Sequence, residues 1–232
     1  MMPTEEQLLG VFADYNALIW PMQIMAYLLG ITGFVLTLRK SKLSNRLVPA
    51  ILAFFWLWVA LMFWLPSAGQ GFAPGYLFAG IFLIQGLLFL TQALQPKLVF
   101  GYQGNFATWA AIFFVLYALV GYPLFGTLIG HAYPYASPFG LTPCPLVAFT
   151  FGLFLLTVQR IPKTLLVIPF FYSLSGFLWV SIGMTEDIGM IASGLVGIWL
   201  IWMRDTKVAV PLSEPSHKSS ETGWSLDLTD KR

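Results

Sequence analysis

Long apolar runs alternate along this chain with short polar segments that carry most of its charges. About 20 apolar residues at 1.5 Å each cross the hydrocarbon core of a bilayer, so each run predicts a membrane helix. We predict seven helices, at residues 17–38, 47–65, 76–95, 107–129, 145–159, 164–184 and 188–203. No ten-residue alternation of apolar and polar positions is present, which argues against membrane strands. The predicted fold class is therefore an all-α membrane protein with seven transmembrane helices.

The charges are distributed unevenly about these helices. On the seven-helix interpretation, all twelve Lys and Arg residues fall on one side of the membrane. The other side carries only acids, namely Glu5, Glu6, Asp14, Glu186 and Asp187. Cytoplasmic loops are enriched in Lys and Arg, so we predict an N-terminus outside and a C-terminus in the cytoplasm.

Three regions are predicted along the chain. Residues 1–15 form an amphipathic segment on the outer face, residues 16–204 the seven-helix domain, and residues 205–232 a mobile, polar cytoplasmic tail. Thr4 and Gln7 have the spacing of a helix-capping box. Four apolar residues recur at helical spacing in the first region and are expected to lie on the lipid interface: Leu8, Val11, Phe12 and Tyr15.

Two segments resemble each other, GLLFLTQALQPK at 86–97 and GLFLLTVQRIPK at 152–163. Their similarity suggests three tandem helical hairpins followed by one final helix, as in transporters built from repeats. The alternative is a chance likeness, since apolar segments draw on few residue types.

The composition agrees with a membrane protein and excludes several function classes. The chain is 58% hydrophobic and only 9% charged, whereas soluble domains have about 25% charged residues. Its bases lie at helix ends, which indicates topology rather than binding of nucleic acid. The last helix has no Lys for retinal, two histidines cannot supply paired haem ligands, and no phosphate-binding loop is present. No cofactor is therefore evident.

The most unusual segment is the predicted outer loop 130–146, which contains four prolines, His131 and Cys144. An imidazole and a thiolate are ligands for a soft metal ion, and Glu186 supplies a candidate third ligand. Alternatively, Cys144 is a nucleophile with His131 as its base. A third interpretation is a purely structural loop, stiffened by its prolines.

Further polar residues are expected near this loop or inside the helices. The candidate outer-face polar site comprises Asp14, His131, Tyr133, Cys144, Glu186 and Asp187. The two adjacent acids could instead cap the last helix, and we expect only one of them to face the interior. Within the predicted spans, Gln23, Gln85 and Gln92 either line a pathway or bond neighbouring helices.

Several of these segments also resemble a known family. FADYNALIWPMQ (12–23), ALVGYPLFGTLIGHAYP (118–134), FGLTPCPLVAFTFG (139–152) and TEDIGM (185–190) are similar to an uncharacterised family of bacterial multi-pass membrane proteins. The resemblance covers nearly all of the chain except the polar tail. It implies a multi-pass protein of the bacterial cytoplasmic membrane, and it transfers no activity, cofactor or site residue.

The sequence leaves three functions open. The first is transport or sensing of a small solute or cation through the outer-face site. The second is a non-catalytic subunit or assembly factor, with another membrane protein or a second copy of the chain as its partner within the lipid bilayer. The third is a membrane enzyme that uses Cys144 and His131 or a bound metal ion.

Overall fold

The structure is a computed structural model that describes residues 3–208, with side chains given through residue 206. All regular elements in this range are helical, which confirms the predicted all-α class for the described residues. The α-helices are α1 (Glu5–Leu18), α2 (Met22–Thr37), α3 (Ser44–Trp58), α4 (Leu65–Gly69), α5 (Pro74–Leu94), α6 (Phe106–Leu116), α7 (Tyr122–Leu128), α8 (Pro143–Leu155), α9 (Lys163–Leu174), α10 (Gly176–Ser181) and α11 (Ile188–Val208). Most of the predicted tail, from residue 209 on, lies outside the described residues.

Five helical stretches are long and apolar enough to cross a membrane, and a sixth counts if α1 and α2 together form one bent span. The five are Ser44–Gly69, Pro74–Leu94, Phe106–Leu128, Lys163–Ser181 and Thr185–Thr206. The helix predicted at 145–159 is α8, whose 13 residues measure about 20 Å. A hydrocarbon core is about 30 Å thick, so α8 alone is too short to span it.

The chain bends by 90° between α1 and α2. Pro21 lies at this corner and has no backbone N–H to continue a helix. The capping box at the start of α1 is confirmed: Gln7 N donates to Thr4 Oγ1 (3.3 Å), and Thr4 N donates to Gln7 Oε1 (3.0 Å).

The inner face of α1 packs on the protein. The Phe12 ring stacks on Phe63 with centroids 5.9 Å apart, and the Tyr15 hydroxyl donates to the Leu141 carbonyl at 2.8 Å. Phe12 and Tyr15 are buried, so the expectation that they lie on the lipid interface is wrong. Rings on the bundle provide them with more apolar contact than a water–lipid boundary would.

Helix α8 is the centre of the bundle, and all its residues are buried. It packs against α3, α6, α9 and α11. Gly152 allows the close approach of α6, since a Cβ there would lie 2.7 Å from the Val115 side chain. Thr150 Oγ1 accepts a hydrogen bond from Trp56 Nε1 of α3 at 3.1 Å. Small residues and interhelical hydrogen bonds are the usual sources of helix association where lipid replaces water.

The predicted hairpin of 76–95 with 107–129 does not form a packed pair. Instead, α5 packs on α3 and α6 packs on α8. Gly86 explains the first contact, since a Cβ there would lie 2.7 Å from Leu57. The positions of the small residues, rather than the order of the helices, determine these neighbours.

Two long helices contain a π-helical segment, Val59–Trp64 after α3 and Tyr117–Gly121 after α6. Each is followed two residues later by a proline, Pro66 or Pro123. A proline ring inside a helix clashes with the carbonyl four residues earlier. The wider π turn relieves that clash, and such turns are frequent at functional sites.

The loop after α5 contacts the loop after α2, the start of α3 and the loop after α8. The loop after α8 in turn contacts the end of α11, and we call this region the basic end. Phe100 N donates to Asn45 Oδ1 at 3.1 Å, and Arg204 Nη1 donates to the Thr157 carbonyl at 2.7 Å. Phe100 and Thr157 also form the isolated β-bridge of the described residues. These segments carry most of the bases between residues 39 and 207.

Candidate functional site

A buried histidine joins two carboxylates from distant parts of the chain. His131 Nε2 lies 3.0 Å from Glu5 Oε1, and His131 Nδ1 lies 2.9 Å from Glu186 Oε1. The side chains of Glu5, His131 and Glu186 are 49%, 3% and 1% exposed, respectively. We call these three residues the acid–histidine network. It leads from solvent at Glu5 to a carboxylate withdrawn from solvent at Glu186.

Local backbone geometry positions each member of the network. Helix α7 ends at Leu128, and Gly130 follows two residues later with a φ of +101°, which suits glycine. The next residue, His131, donates its backbone N–H to the Gly126 carbonyl at 2.7 Å. Glu186 lies in a short 3₁₀ turn, Thr185–Asp187, before α11. Glu5 lies in the first turn of α1 and packs over Gly183.

The surroundings of His131 shift its protonation in opposite directions. Burial lowers the pKa of the imidazole, while hydrogen bonds and charges from Glu186 and Glu5 raise it. The net effect is a pKa above the ordinary 6.5, because the two carboxylates favour the imidazolium form. Both ring nitrogens donate in that form, so the two contacts are satisfied together.

Asp187, next to the network, is also buried. Its Oδ1 accepts a hydrogen bond from the Tyr122 hydroxyl at 2.6 Å, and the Tyr117 hydroxyl donates to the Glu186 carbonyl. Asp187 and Glu186 are each only 1% exposed. The expectation that only one acid faces the interior is wrong, because the two lie in a 3₁₀ turn rather than in the helix itself.

A cavity of about 20 Å³ lies beside Asp187, which is room for about one water molecule. Its lining includes Tyr122, Cys144, Tyr172 and Asp187. The second Glu186 oxygen, Oε2, is buried without a hydrogen-bond partner among the described residues. Glu186 is not among the residues that line the cavity, so this oxygen is not part of the cavity wall.

The predicted site residues are brought together only in part. His131 and Glu186 are in contact, whereas Asp14 and Tyr133 are exposed and outside the network. Cys144 lies beside Asp187 on the cavity. Both nitrogens of His131 bond to carboxylates, so neither is free to act as a base for Cys144.

The predicted metal ligands are likewise not assembled. Among residues 3–208, no group of three or more His, Cys, Asp or Glu side chains has a spacing that would hold a metal ion. His131 and Glu186 instead hydrogen-bond directly to each other.

The predicted intramembrane glutamines make local bonds. Gln85 Nε2 donates to the Leu165 carbonyl at 3.1 Å, and Gln23 Nε2 donates to the Asn16 carbonyl at 2.9 Å. Gln92 Oε1 accepts a hydrogen bond from the backbone N–H of Lys97. These contacts favour packing over pathway lining.

Glu5 and Tyr122 were missed as site residues. The sequence shows Glu5 only as one of the acids on the predicted outer side, yet it contacts His131, 126 positions away. The sequence contains one feature that could have pointed to Tyr122 as a site residue, namely Pro123, which follows it inside a predicted helix.

A family model matches residues 5–210, which is most of the chain. The chain belongs to DUF6064, a family of unknown function. No curated protein and no solved structure matches it. The match to DUF6064 includes Glu5, His131 and Glu186, so the acid–histidine network lies within the family region.

Proposed function

We propose that the protein is a seven-span protein of the bacterial cytoplasmic membrane that senses or transports a small solute or cation at its outer face. The proton is the cation that the site fits best. The observation that carries the proposal is the acid–histidine network, which connects buried Glu186 to water through His131 and half-exposed Glu5. Ionisable groups withdrawn from solvent inside a membrane bundle are costly and usually mark a proton or ion route.

The paths of α8 and α11 support seven crossings with the N-terminus outside. Cys144, at the start of α8, lies beside Asp187, which precedes α11. Just beyond the other end of α8, the Thr157 carbonyl accepts a hydrogen bond from Arg204 of α11. Helix α8 therefore runs beside α11 from the acid–histidine network to the basic end. A short crossing of this kind borrows flanking residues or thins the bilayer locally.

The chemistry of the network suits protons. An imidazole between two carboxylates accepts a proton on one nitrogen and releases one from the other. The unpartnered Glu186 Oε2 is an acceptor on the inner side of this relay. Five acids and no base fall on the proposed outer side within the described residues, which favours cations over anions there.

The two rival functions receive less support. Tyr117 packs over Gly189, and Phe151 packs over Gly197. These two glycines of α11 therefore serve contacts within the chain rather than contacts with a partner helix. A Cys144 enzyme lacks its base, because both His131 nitrogens are engaged.

Proteoliposomes that contain a trapped pH-sensitive dye test transport. After external acidification, the wild-type protein is expected to acidify the lumen faster than Glu186→Gln, while Glu6→Gln, a change in an exposed acid, behaves as wild type. Amide hydrogen exchange of α1 on the same proteins tests sensing. After correction for the intrinsic pH dependence of amide exchange, the protection of α1 is expected to fall as pH rises in wild type. If flux and exchange are both the same in wild type and Glu186→Gln, the proposal fails.

A further inference from the structure

The basic end carries exposed positive charge that no described acid balances. Seven Lys and Arg residues are exposed there, four within residues 39–46 and the others at Lys97, Arg160 and Lys163. The one described acid of this region is Asp205, whose carboxylate accepts a hydrogen bond from Arg204 Nε at 3.1 Å. None of the seven exposed bases forms an ion pair with an acid among the described residues. This end of the molecule therefore presents a basic surface that an anion would complement.

Contacts between the segments join these bases into one surface. Gly101 N donates to the Leu156 carbonyl at 2.9 Å, which pairs the loop after α5 with the loop after α8. The aliphatic part of Lys40 lies against Gly101, since a Cβ there would be 2.6 Å from Lys40 Cγ. Arg160 Nη2 donates to the Asp205 carbonyl at 3.0 Å, which attaches the loop after α8 to α11. A topology signal depends on the bases of each loop separately, so attachment of the loops to one another adds nothing to it.

Exposed apolar side chains lie close to these bases along the chain. Leu43, between Lys42 and Arg46, is exposed. Leu94 and Trp202, near the ends of α5 and α11, are exposed as well. An anionic phospholipid carries its phosphate directly above its acyl chains, so one molecule complements both kinds of side chain, whereas a soluble acidic protein complements only the bases. Basic clusters at the cytoplasmic ends of membrane helices bind such headgroups.

We propose that the basic end binds anionic phospholipids in preference to zwitterionic ones. Bases from several loops hold the headgroup phosphate, and the acyl chains lie along the exposed apolar residues beside them. Arginine forms paired hydrogen bonds to phosphate oxygens, and lysine supplies a point charge. The inference rests on the membrane setting of the proposed function, but it uses no residue of the acid–histidine network.

Two lipids with the same acyl chains test the preference on the full-length chain. Native mass spectrometry in mild detergent follows titration with dioleoyl phosphatidylglycerol, which is anionic, or dioleoyl phosphatidylethanolamine, which is zwitterionic. We expect the anionic lipid to bind about 25-fold more tightly, from two contacting bases at about fivefold each. Equal affinities overturn the proposal. Equal affinities together with tight binding of a soluble poly-glutamate peptide would assign the surface to an acidic protein partner instead.

Substitutions at two bases locate the site. Arg46→Gln with Lys97→Gln removes one exposed base from each of two segments and should abolish most of the preference. Arg46→Lys with Lys97→Arg keeps both charges, so it is the matched control and should retain the preference. A double Gln variant that unfolds like wild type and still prefers the anionic lipid overturns the proposal. Glu186→Gln should bind lipid as wild type does, which distinguishes failure of this inference from failure of the proposed function.

Gly101→Ala tests whether the joined loops act as one site. It keeps every base but displaces Lys40, because the new Cβ would overlap the Lys40 side chain. Binding of the anionic lipid should weaken about fivefold, the contribution of one base. Gly10→Ala, whose Cβ meets open space in α1, is the control and should bind as wild type does. Unchanged binding in Gly101→Ala overturns the arrangement in which the loop after α5 positions Lys40.

Discussion

His131 and Glu186 come together from positions 55 residues apart, with imidazole Nδ1 2.9 Å from carboxylate Oε1. The other ring nitrogen, Nε2, contacts the Glu5 carboxylate, and Asp187 lies next to Glu186 in the chain. The pKa of His131 is raised above its ordinary 6.5, so its midpoint should lie above that value. The ¹⁵N shift of histidine-labelled His217→Ala protein measures it, because His131 is then the sole histidine. A midpoint at or below 6.5 contradicts this prediction.

The same titration separates the two carboxylates. Glu186→Gln should lower the midpoint more than Glu5→Gln, because Glu186 is 1% exposed and Glu5 is 49% exposed, where water screens its charge. Glu6→Gln is the control and should leave the midpoint unchanged.

The raised pKa of His131 predicts how the free energy of unfolding changes with pH. A group whose pKa is raised by folding stabilises the fold fully below its unfolded value, here about 6.5. That contribution is lost as pH rises through the raised pKa of His131. The free energy of unfolding should therefore fall over this interval in wild type, and the fall should be absent from His131→Ala. Identical pH profiles would show that the network contributes nothing to folding.

Removal of His131 alone should lower the free energy of unfolding more than removal of both His131 and Glu186. His131→Ala leaves the Glu186 carboxylate buried and unpaired, and loss of one partner of a buried ion pair costs about 3–5 kcal/mol. The double variant His131→Ala with Glu186→Gln should recover part of this loss, since no buried charge remains. Unfolding in mixed micelles measures all four proteins of the cycle. A double variant as unstable as the sum of the two single variants would contradict the coupling.

The apolar runs and the capping residues predict most of the helices, because burial and backbone satisfaction act over a few turns of chain. Thr4 and Gln7 illustrate this, since their bonds are local. The contact between Glu5 and His131 joins positions 126 residues apart and depends on how α1 folds back on the bundle. No local pattern contains that information.

The candidate site is likewise predictable in part from the sequence and in part not. His131, Glu186 and Asp187 were predicted on one face from topology alone, and they do lie together. Asp14 and Tyr133 are exposed and lie outside the network, because a shared face does not determine which side chains turn inward. The π turn before Tyr122 rotates the rest of its helix, and helical periodicity cannot predict that rotation.

Gly183 should be needed for the position of Glu5. Its φ is +111°, and a Cβ there would lie 2.2 Å from Glu5 Oε2. Gly183→Ala should therefore cost about 1–3 kcal/mol through backbone strain and lower the His131 midpoint by displacing Glu5. Gly10→Ala is the matched control, since its Cβ meets open space in the same helix as Glu5. It should stabilise α1 by about 0.5–1 kcal/mol. An unchanged His131 midpoint in Gly183→Ala would show that Glu5 does not depend on this glycine.

Cys144 should resist modification in the folded protein. Its side chain is buried beside the cavity of about 20 Å³ that Asp187 and Tyr172 also line. Reagents need an accessible thiolate, so a maleimide should label the protein slowly until it is denatured. Cys144 is the sole cysteine, so mass spectrometry reports the site without ambiguity. His131→Ala should leave the rate unchanged, because His131 is bonded to carboxylates rather than to the thiol. Rapid labelling that depends on His131 would instead support a thiol enzyme and contradict the arrangement of this site.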